Sequence, residues 1–381
     1  MNRIHRHILA NVVMTCGAAV GMFVFVLMLG SALKDLLGHV LAGQLAPATV
    51  VRLVGLTVPV VVSYALPMGM LSGILLVLGR MSSDREITAL RASGLSVAWL
   101  SAPILFFALF GVAVSVLVNF EIMPKAKVAY EAELADAVRQ NPLSFITPRT
   151  FIRDFSGKVL YVGEKRGSVL GDFWLWELDA QNRVKRVAHA DSGRVTFDAK
   201  NNRLILTLEH GQGELRNDKD PENFFRAPVV LSWEHAPFDL PLDRLSGNNS
   251  VHVKQKWLTF GQLMAEWRRL GRPDGPLSAA ERERERMRVQ VTIHEKFATA
   301  FSVLSFALIA IPLGIKISRK ETSANLGIGL GLAMAYYFGT IVVGWLDNQT
   351  ALRPDLLMWL PNIAFQSLGF LMIYKVDRSK A

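Results

Sequence analysis

Six long apolar runs without a formal charge constrain this chain more than anything else in it. No Asp, Glu, Lys or Arg occurs from His7 to Leu33, Leu53 to Gly79, Ala92 to Phe120, Phe297 to Ile315, Thr322 to Leu346 or Leu356 to Tyr374. About 20 apolar residues in a helix cross a hydrocarbon core of roughly 30 Å. A single Arg, Lys or Asp at the centre of such a helix costs about 2.5–3.5 kcal/mol on insertion scales, so runs this clean point to a bilayer rather than a soluble core. They lack the alternation of barrel strands, and helices satisfy their own backbone hydrogen bonds in lipid. The spans are expected near residues 9–33, 53–79, 97–120, 297–316, 324–346 and 356–375. Gly17 with Gly21, Gly69 with Gly73 and Gly327 with Gly331 form small-x-x-x-small pairs that suit close helix approach.

Flanking charge sets the expected orientation. With the N-terminus in the cytosol, the cytosolic ends carry Arg3, Arg6, Arg80, Arg85, Arg91, Lys316, Arg319, Lys320, Lys375, Arg378 and Lys380, whereas the short outer loops carry only Lys34, Arg52 and Arg353. The positive-inside bias therefore places both termini in the cytosol and exports the polar insert between the third and fourth runs. That insert, Glu121 to Lys296, holds 28 basic and 25 acidic residues, so the membrane half supplies +7 of the net +10. The basic balance reflects topology and gives no basic soluble face for nucleic acid. Cys16 is the only cysteine and lies in an apolar run; the exported part must fold without an internal disulfide. The first run is too long for a signal-peptide core and no clear small-residue cleavage site follows it, so it reads as a retained helix.

The insert changes character. Val159 to Val162, Phe173 to Leu178, Arg194 to Phe197 and Leu204 to Leu208 read as strands, with Lys200-Asn201-Asn202-Arg203 as a hairpin connection. With no crossover helices between them, an antiparallel sandwich or jelly roll is expected. Trp174 and Trp176 lie in a continuous apolar run, which fits either an acyl-chain groove or ordinary core packing. Trp257 to Leu270 reads as a short amphipathic helix, and Ser278 as the N-cap of a helix running into the fourth span. The fold class is thus an α-helical membrane protein with six transmembrane helices, three and three, around an inserted β domain. The expected division is residues 1–124, 125–276 and 277–381, with a cytosolic helix at 82–94.

Enzymatic signatures are missing. The sequence has no G-x-x-x-x-G-K-[ST] loop for nucleotide phosphates and no H-E-x-x-H or Cys/His cluster at metal spacing. No cofactor is implied. The runs also lack the ionisable residues that proton- or ion-coupled transport uses, so any transport needs a separate energy source. The most specific stretch joins the second and third spans, Gly79-Arg80-Met81-Ser82-Ser83-Asp84-Arg85-Glu86-Ile87-Thr88-Ala89-Leu90-Arg91-Ala92-Ser93-Gly94. Ser82 or Ser83 suits a helix cap and Gly94 a helix end. Ile87, Leu90 and Arg91 share one face at i, i+3 and i+4. Spacing alone fits both a helix that docks in a partner's groove and one that merely connects two spans.

The Arg-Glu-Ile-Thr-Ala-Leu-Arg-Ala-Ser-Gly heart of this loop, placed after the second span, resembles the coupling-helix signature of the lipopolysaccharide-export permease family, LptF/LptG (YjgP/YjgQ type). The resemblance covers the whole layout of three spans, a periplasmic β-jellyroll and three spans. It implies a permease in the bacterial inner membrane that takes lipopolysaccharide from the outer leaflet through a lateral gate of the first and fifth spans. The cargo would pass to a periplasmic bridge protein with a jellyroll fold. A cytosolic ABC ATPase dimer and a second permease of the family, in a heterodimer or, in some lineages, a homodimer, are the implied partners. Under it, Glu86 with Arg85, Ile87, Leu90 and Arg91 contacts the ATPase, and Lys34 matches a basic position that faces lipid A phosphates. Val40 and Leu41 are apolar where further basic residues are expected, which leaves Arg52 and Arg353 as added head-group candidates and Trp174 and Trp176 as acyl-chain candidates. The coupling stretch is nearer the LptF type and Lys34 nearer the LptG type. Other lipid or lipoprotein ABC exporters, which place a large periplasmic domain after the first span, a secondary transporter and a non-transporting membrane assembly protein are the competing classes.

Overall fold

A computed structural model describes residues 3–37, 40, 45–140, 146–152, 157–179, 183–198, 203–216, 229–241, 255–272, 278–316, 322–345 and 353–378. The chain divides into two units, one drawn from Met1–Ser31, Leu56–Val128 and Val253–Ala381, the other from Ala32–Gly55 and Ala129–His252.

The first unit holds six helices long and apolar enough to cross a membrane. In chain order the helices are α1 (Arg3–Asp35), α2 (Pro47–Ser83), a short α3 (Glu86–Ala92), α4 (Val97–Leu117), α5 (Met123–Gln140), α6 (Phe260–Leu270), α7 (Ala279–Lys316), α8 (Thr322–Gly344), a one-turn α9 (Pro354–Leu357) and α10 (Leu360–Arg378). Some of these extend well past their apolar runs; α7, for instance, starts 18 residues before Phe297. Its polar first half begins as expected at Ser278, whose Oγ accepts from the Glu281 amide at 3.3 Å while the Glu281 carboxylate accepts from the Ser278 amide at 2.9 Å, a capping box. Helix α6 starts later than Trp257, at a Thr259/Gln262 capping box.

Helices α2 and α7 are the most buried spans and α1, α8 and α10 the most exposed. The core runs through Ile8, Val12, Cys16, Leu71, Ile74, Ile104, Phe306 and Tyr336. Of the three glycine pairs, only Gly69 and Gly73 meet another helix: a Cβ on Gly73 would lie 2.6 Å from the Cys16 Cα, and one on Gly69 2.7 Å from the Val20 Cα. Gly17, Gly21, Gly327 and Gly331 face open space among the described residues. Gly369, unpaired in the sequence, lets α10 press on the backbone of Leu308. Between α7, α8 and α10 lies a buried polar knot. Asn362 Oδ1 accepts from Ser305 Oγ at 2.7 Å and Tyr336 Oη at 3.3 Å, and Asn362 Nδ2 donates to Ala298 O at 2.8 Å.

The second unit carries one six-stranded antiparallel sheet in chain order: β1 (Phe151–Ile152), β2 (Lys158–Arg166), β3 (Val169–Leu178), β4 (Val184–Asp198), β5 (Arg203–Leu215) and β6 (Val229–Pro241). This is the inserted β domain, with strands longer than expected and two, β1 and β6, beyond those read in the sequence. The expected hairpin connection at Lys200-Asn201-Asn202 lies outside the described residues, although Asp198 and Arg203 pair across it. Strand length was hidden because the inward alternation changes phase along one transverse row. In β3 the buried positions are Leu170, then Phe173 and Leu175; in β5 they are Leu206 and Leu208, then Gly211 and Gly213. The row runs Gly163, Asp172, Asp191, His210, Glu234, between the pairs Gly171↔Ser192 and Phe173↔Ala190 and their equivalents. Asp172 and His210 take positive φ there (49° and 50°), a conformation in which Asp and His are enriched among non-glycine residues. Each neighbouring strand contributes one residue to the row, so the pairing register is kept across it while the faces that follow exchange.

Candidate functional site

The loop between α2 and α4 forms a site from side chains of five helices. Helix α2 continues to Ser83, so the short helix occupies only Glu86–Ala92 of the expected 82–94. Neither serine caps it. Ser82 Oγ donates to Ile315 O at 2.8 Å, near the end of α7, because α2 brings it against that helix before the chain turns. The N-cap is Arg85 in the left-handed region (φ 61°) without a side-chain cap. At the other end Gly94 (φ 88°) acts as expected: Leu95 N donates to Leu90 O at 3.2 Å and Gly94 N to Arg91 O at 2.9 Å, the paired bonds of a Schellman motif.

The structure sorts the five named residues into two faces. Ile87 is 4% exposed and packs among Ile8, Leu78, Met81, Leu100, Ile104, Ile311 and Ile315. Leu90 packs on the same core, half-buried, and Arg91 reaches the end of α10, its Nη2 donating to Val376 O at 3.0 Å. Arg85 and Glu86 point away from this core and are exposed, together with Asp84, Thr88, Ala89 and Ala92. The i, i+3, i+4 face read from the sequence is real, and it seats the helix on its own bundle. The edge left exposed is the opposite one, centred on Glu86. Arg80 and Asp84 form an exposed 3.8 Å pair beside it, worth little in water.

The head-group candidates are placed differently. Lys34 falls on the last turn of α1, and its side chain lies outside the described residues. Arg52 Nη1 meets Glu133 Oε1 at 3.3 Å. Arg353 grips Asp355 with Nε and Nη2 at 3.1 and 2.9 Å, and that bond holds the guanidinium above its ordinary pKa. Asp355 itself is 1% exposed. Both Arg52 and Arg353 therefore have a carboxylate in hand. Trp174 and Trp176 lie on the face of β3 opposite the buried Phe173 and Leu175. Their indole planes are 11° apart with centroids at 5.8 Å, flanked by Phe151, Tyr161 and His189, and Trp174 Nε1 donates to Asp172 Oδ1 at 2.9 Å.

Two features escaped the sequence reading. The first is Lys296, one residue before an uncharged run and 5% exposed. Its ammonium donates to Asn119 O at 2.9 Å and Leu258 O at 3.2 Å and lies 5.6 Å from the Phe120 ring. Asn119 sits in a π-helical turn, Val118–Ile122, after α4; such a bulge loosens the regular carbonyl pairing of a helix. The second is a cavity of about 420 Å³ lined by Tyr64 of α2, Glu295 and Thr299 of α7, Tyr337 and Thr340 of α8 and Lys256, which pairs with Glu295 at 3.0 Å. The Tyr337 hydroxyl is buried without a hydrogen-bond partner among the described residues. Single polar residues in apolar runs were the available signal, but only packing reveals which of them converge.

Among characterised proteins, the sequence matches the family described as Lipopolysaccharide export system permease LptF/LptG over residues 6–375. It is 21% identical over 342 residues to the Lipopolysaccharide export system permease protein LptF of Escherichia coli (strain K12), covering 89% of this chain and 86% of that protein. The LptF of Shigella flexneri aligns with the same identity and coverage.

Proposed function

From its membership of the LptF/LptG family of lipopolysaccharide export system permeases, to which the chain belongs as a permease rather than an enzyme, we propose how its parts act in export. Residues 1–124 and 277–381 supply the membrane path and residues 125–276 the periplasmic relay, with both termini in the cytosol. Energy comes from a separate ABC ATPase dimer, since the sequence has no phosphate-binding loop. The LptF name of the relatives above favours the LptF-type place beside a second permease. The other exporter, secondary-transporter and assembly readings are not favoured.

The observation that carries the coupling role is the exposed Glu86 edge of a helix whose other face is seated in the bundle. A carboxylate there accepts charge-assisted hydrogen bonds from a basic groove, and the buried Ile87 face passes the displacement to α1, α2, α4 and α7. Exposed apolar side chains on α1 and α8, among them Met14, Phe25, Met334 and Phe338, support a lipid gate or a second permease at these spans. The outer edge of β6 is unpaired among the described residues and exposes Val229, Val230 and Leu231; such an edge suits strand addition by a jellyroll bridge. The inward face of Phe173 and Leu175 is better suited to acyl chains than the Trp174 and Trp176 face. Lys34 is the head-group residue of choice, because Arg52 and Arg353 would each have to leave a carboxylate.

The test is copurification and nucleotide hydrolysis with the ATPase. Glu86→Lys should lose association or uncouple hydrolysis from export, and Glu86→Gln should be milder. Normal assembly and normal export by Glu86→Lys would remove the role. The chain alone should hydrolyse no ATP.

A further inference from the structure

The end of the last membrane helix and the loop around α3 cap each other. The final carbonyls of a helix have no intrahelical donor and carry partial negative charge. At the end of α10, Val376 O takes the Arg91 guanidinium at 3.0 Å. The first amides of a helix are orphaned in the same way. At the start of α4, the amide of Val97 donates to Asp377 Oδ1 at 2.7 Å, while Ser96 Oγ accepts from the Trp99 amide at 3.1 Å. Val97 and Val376 are both buried. One bond therefore runs from the last turn of α3 to α10, and the next residue of α10 accepts a second from the first residue of α4. Two bonds, both accepted by α10 and separated by one residue on α10 and six on the loop, fasten the end of α10 to α3 at one point and to the start of α4 at the other.

We propose that this clasp makes α10 a second output of the ATPase-contacting helix: when the loop from α3 to the first turn of α4 is displaced, Arg91 at one end of it and Asp377 opposite the other carry the end of α10 with it. The motion then has a route inward. Helix α10 lies directly on Leu308 of α7 at Gly369, and Asn362 of α10 bonds Ser305 and Ala298 O of α7 and Tyr336 of α8. A pull at the loop thus reaches α8 without passing through α2 or along the body of α4. Arg91 and Asp377 are positioning residues in this scheme. It rests on the coupling role proposed above for α3.

The test uses the assembled complex of the chain, its ATPase and the second permease in nanodiscs, with lipopolysaccharide release per ATP and hydrogen exchange with and without nucleotide trapping as readouts. Asp377→Ala removes the acceptor, and Asp377→Asn keeps one. Val97→Pro removes the donor at the first helical position, where proline is favoured, and Ser96 already has the extended backbone (ψ 154°) that proline requires of its predecessor. In the wild type, trapping should change exchange at 86–95 and at 370–378 together. In Asp377→Ala the change at 86–95 should persist and that at 370–378 should fall several-fold, with release per ATP lowered and ATPase copurification intact. Asp377→Asn should stay near wild type, and Asp377→Ala with Val97→Pro should be no worse than Asp377→Ala alone. A wild-type response confined to 86–95, or wild-type release by Asp377→Ala, would overturn the clasp while leaving the coupling role standing. No response at 86–95 in the wild type would overturn the coupling role, and the clasp with it.

Discussion

Replacing Lys296 by Met should loosen the start of α6 while leaving the bundle assembled. The lysine stem is retained in length and apolar character, so the change isolates the ammonium, which donates to Asn119 O and Leu258 O. Leaving one buried acceptor unsatisfied costs about 1–3 kcal/mol. Two acceptors set an upper range of about 2–6 kcal/mol, and removing the lysine recovers part of the desolvation of a buried charge, which brings the expected net loss to about 1–4 kcal/mol. Leu258 lies just before Thr259, the N-cap of α6, and α6 is attached mainly through Leu263 and Leu270 against Phe120 and Val289. The loss should therefore appear as local opening of 255–270. At about 1.4 kcal/mol per factor of ten, amide protection in α6 should drop by roughly five-fold to seven-hundred-fold in Lys296→Met, and less in Lys296→Gln, which keeps a donor. Hydrogen exchange on the purified protein reads this directly. Unchanged protection of α6 in Lys296→Met would refute the reasoning, because it would mean the two carbonyls are not held by this ammonium.

Three further outcomes follow from the packing. Gly73→Val should prevent α1 and α2 from closing, since even a Cβ would lie 2.6 Å from the Cys16 backbone, whereas Gly17→Val faces open space and should express and assemble normally; equal behaviour of the two would contradict the α1–α2 contact. A photo-crosslinker at Phe173 should capture lipopolysaccharide more strongly than one at Trp174 during export, and the reverse would return the acyl path to the tryptophan face. Replacing Leu231 by Lys on the β6 edge should weaken strand-mediated contact with a periplasmic partner, measured by crosslinking, with no change in ATPase association; unaltered crosslinking would move the bridge elsewhere.

The Lys296 and Gly73 cases show where reading the sequence stops. Spans and a loop helix are legible because burial in lipid acts on composition over 20 residues, and a run without charge states its environment whatever its neighbours are. The same holds for Gly94, whose φ of 88° is a local demand. Partners are different. Gly17/Gly21 and Gly69/Gly73 have the same spacing, yet only the latter pair meets a backbone, and nothing local distinguishes them. Arg91 was legible as one face of a helix, but that it reaches Val376, 285 residues away, depends on how α10 returns to the loop. The strands were half legible for a related reason: period-two alternation reads each half correctly, and the phase change at Asp172 and His210 arises from a cross-sheet row that no single strand encodes.

Sequence by itself determined the environment of each segment, the three-and-three layout around a β insert, and the family-like loop with Glu86 at its centre. Tertiary structure decided which side of that loop is free. It turned Ile87, Leu90 and Arg91 inward and Arg85 and Glu86 outward, and drew Lys296 onto two carbonyls. The physical reason is one of range. Hydrophobic transfer is a property of the residue and its immediate run, whereas hydrogen-bond partners and close backbone contacts are chosen by the three-dimensional meeting of segments far apart in the chain.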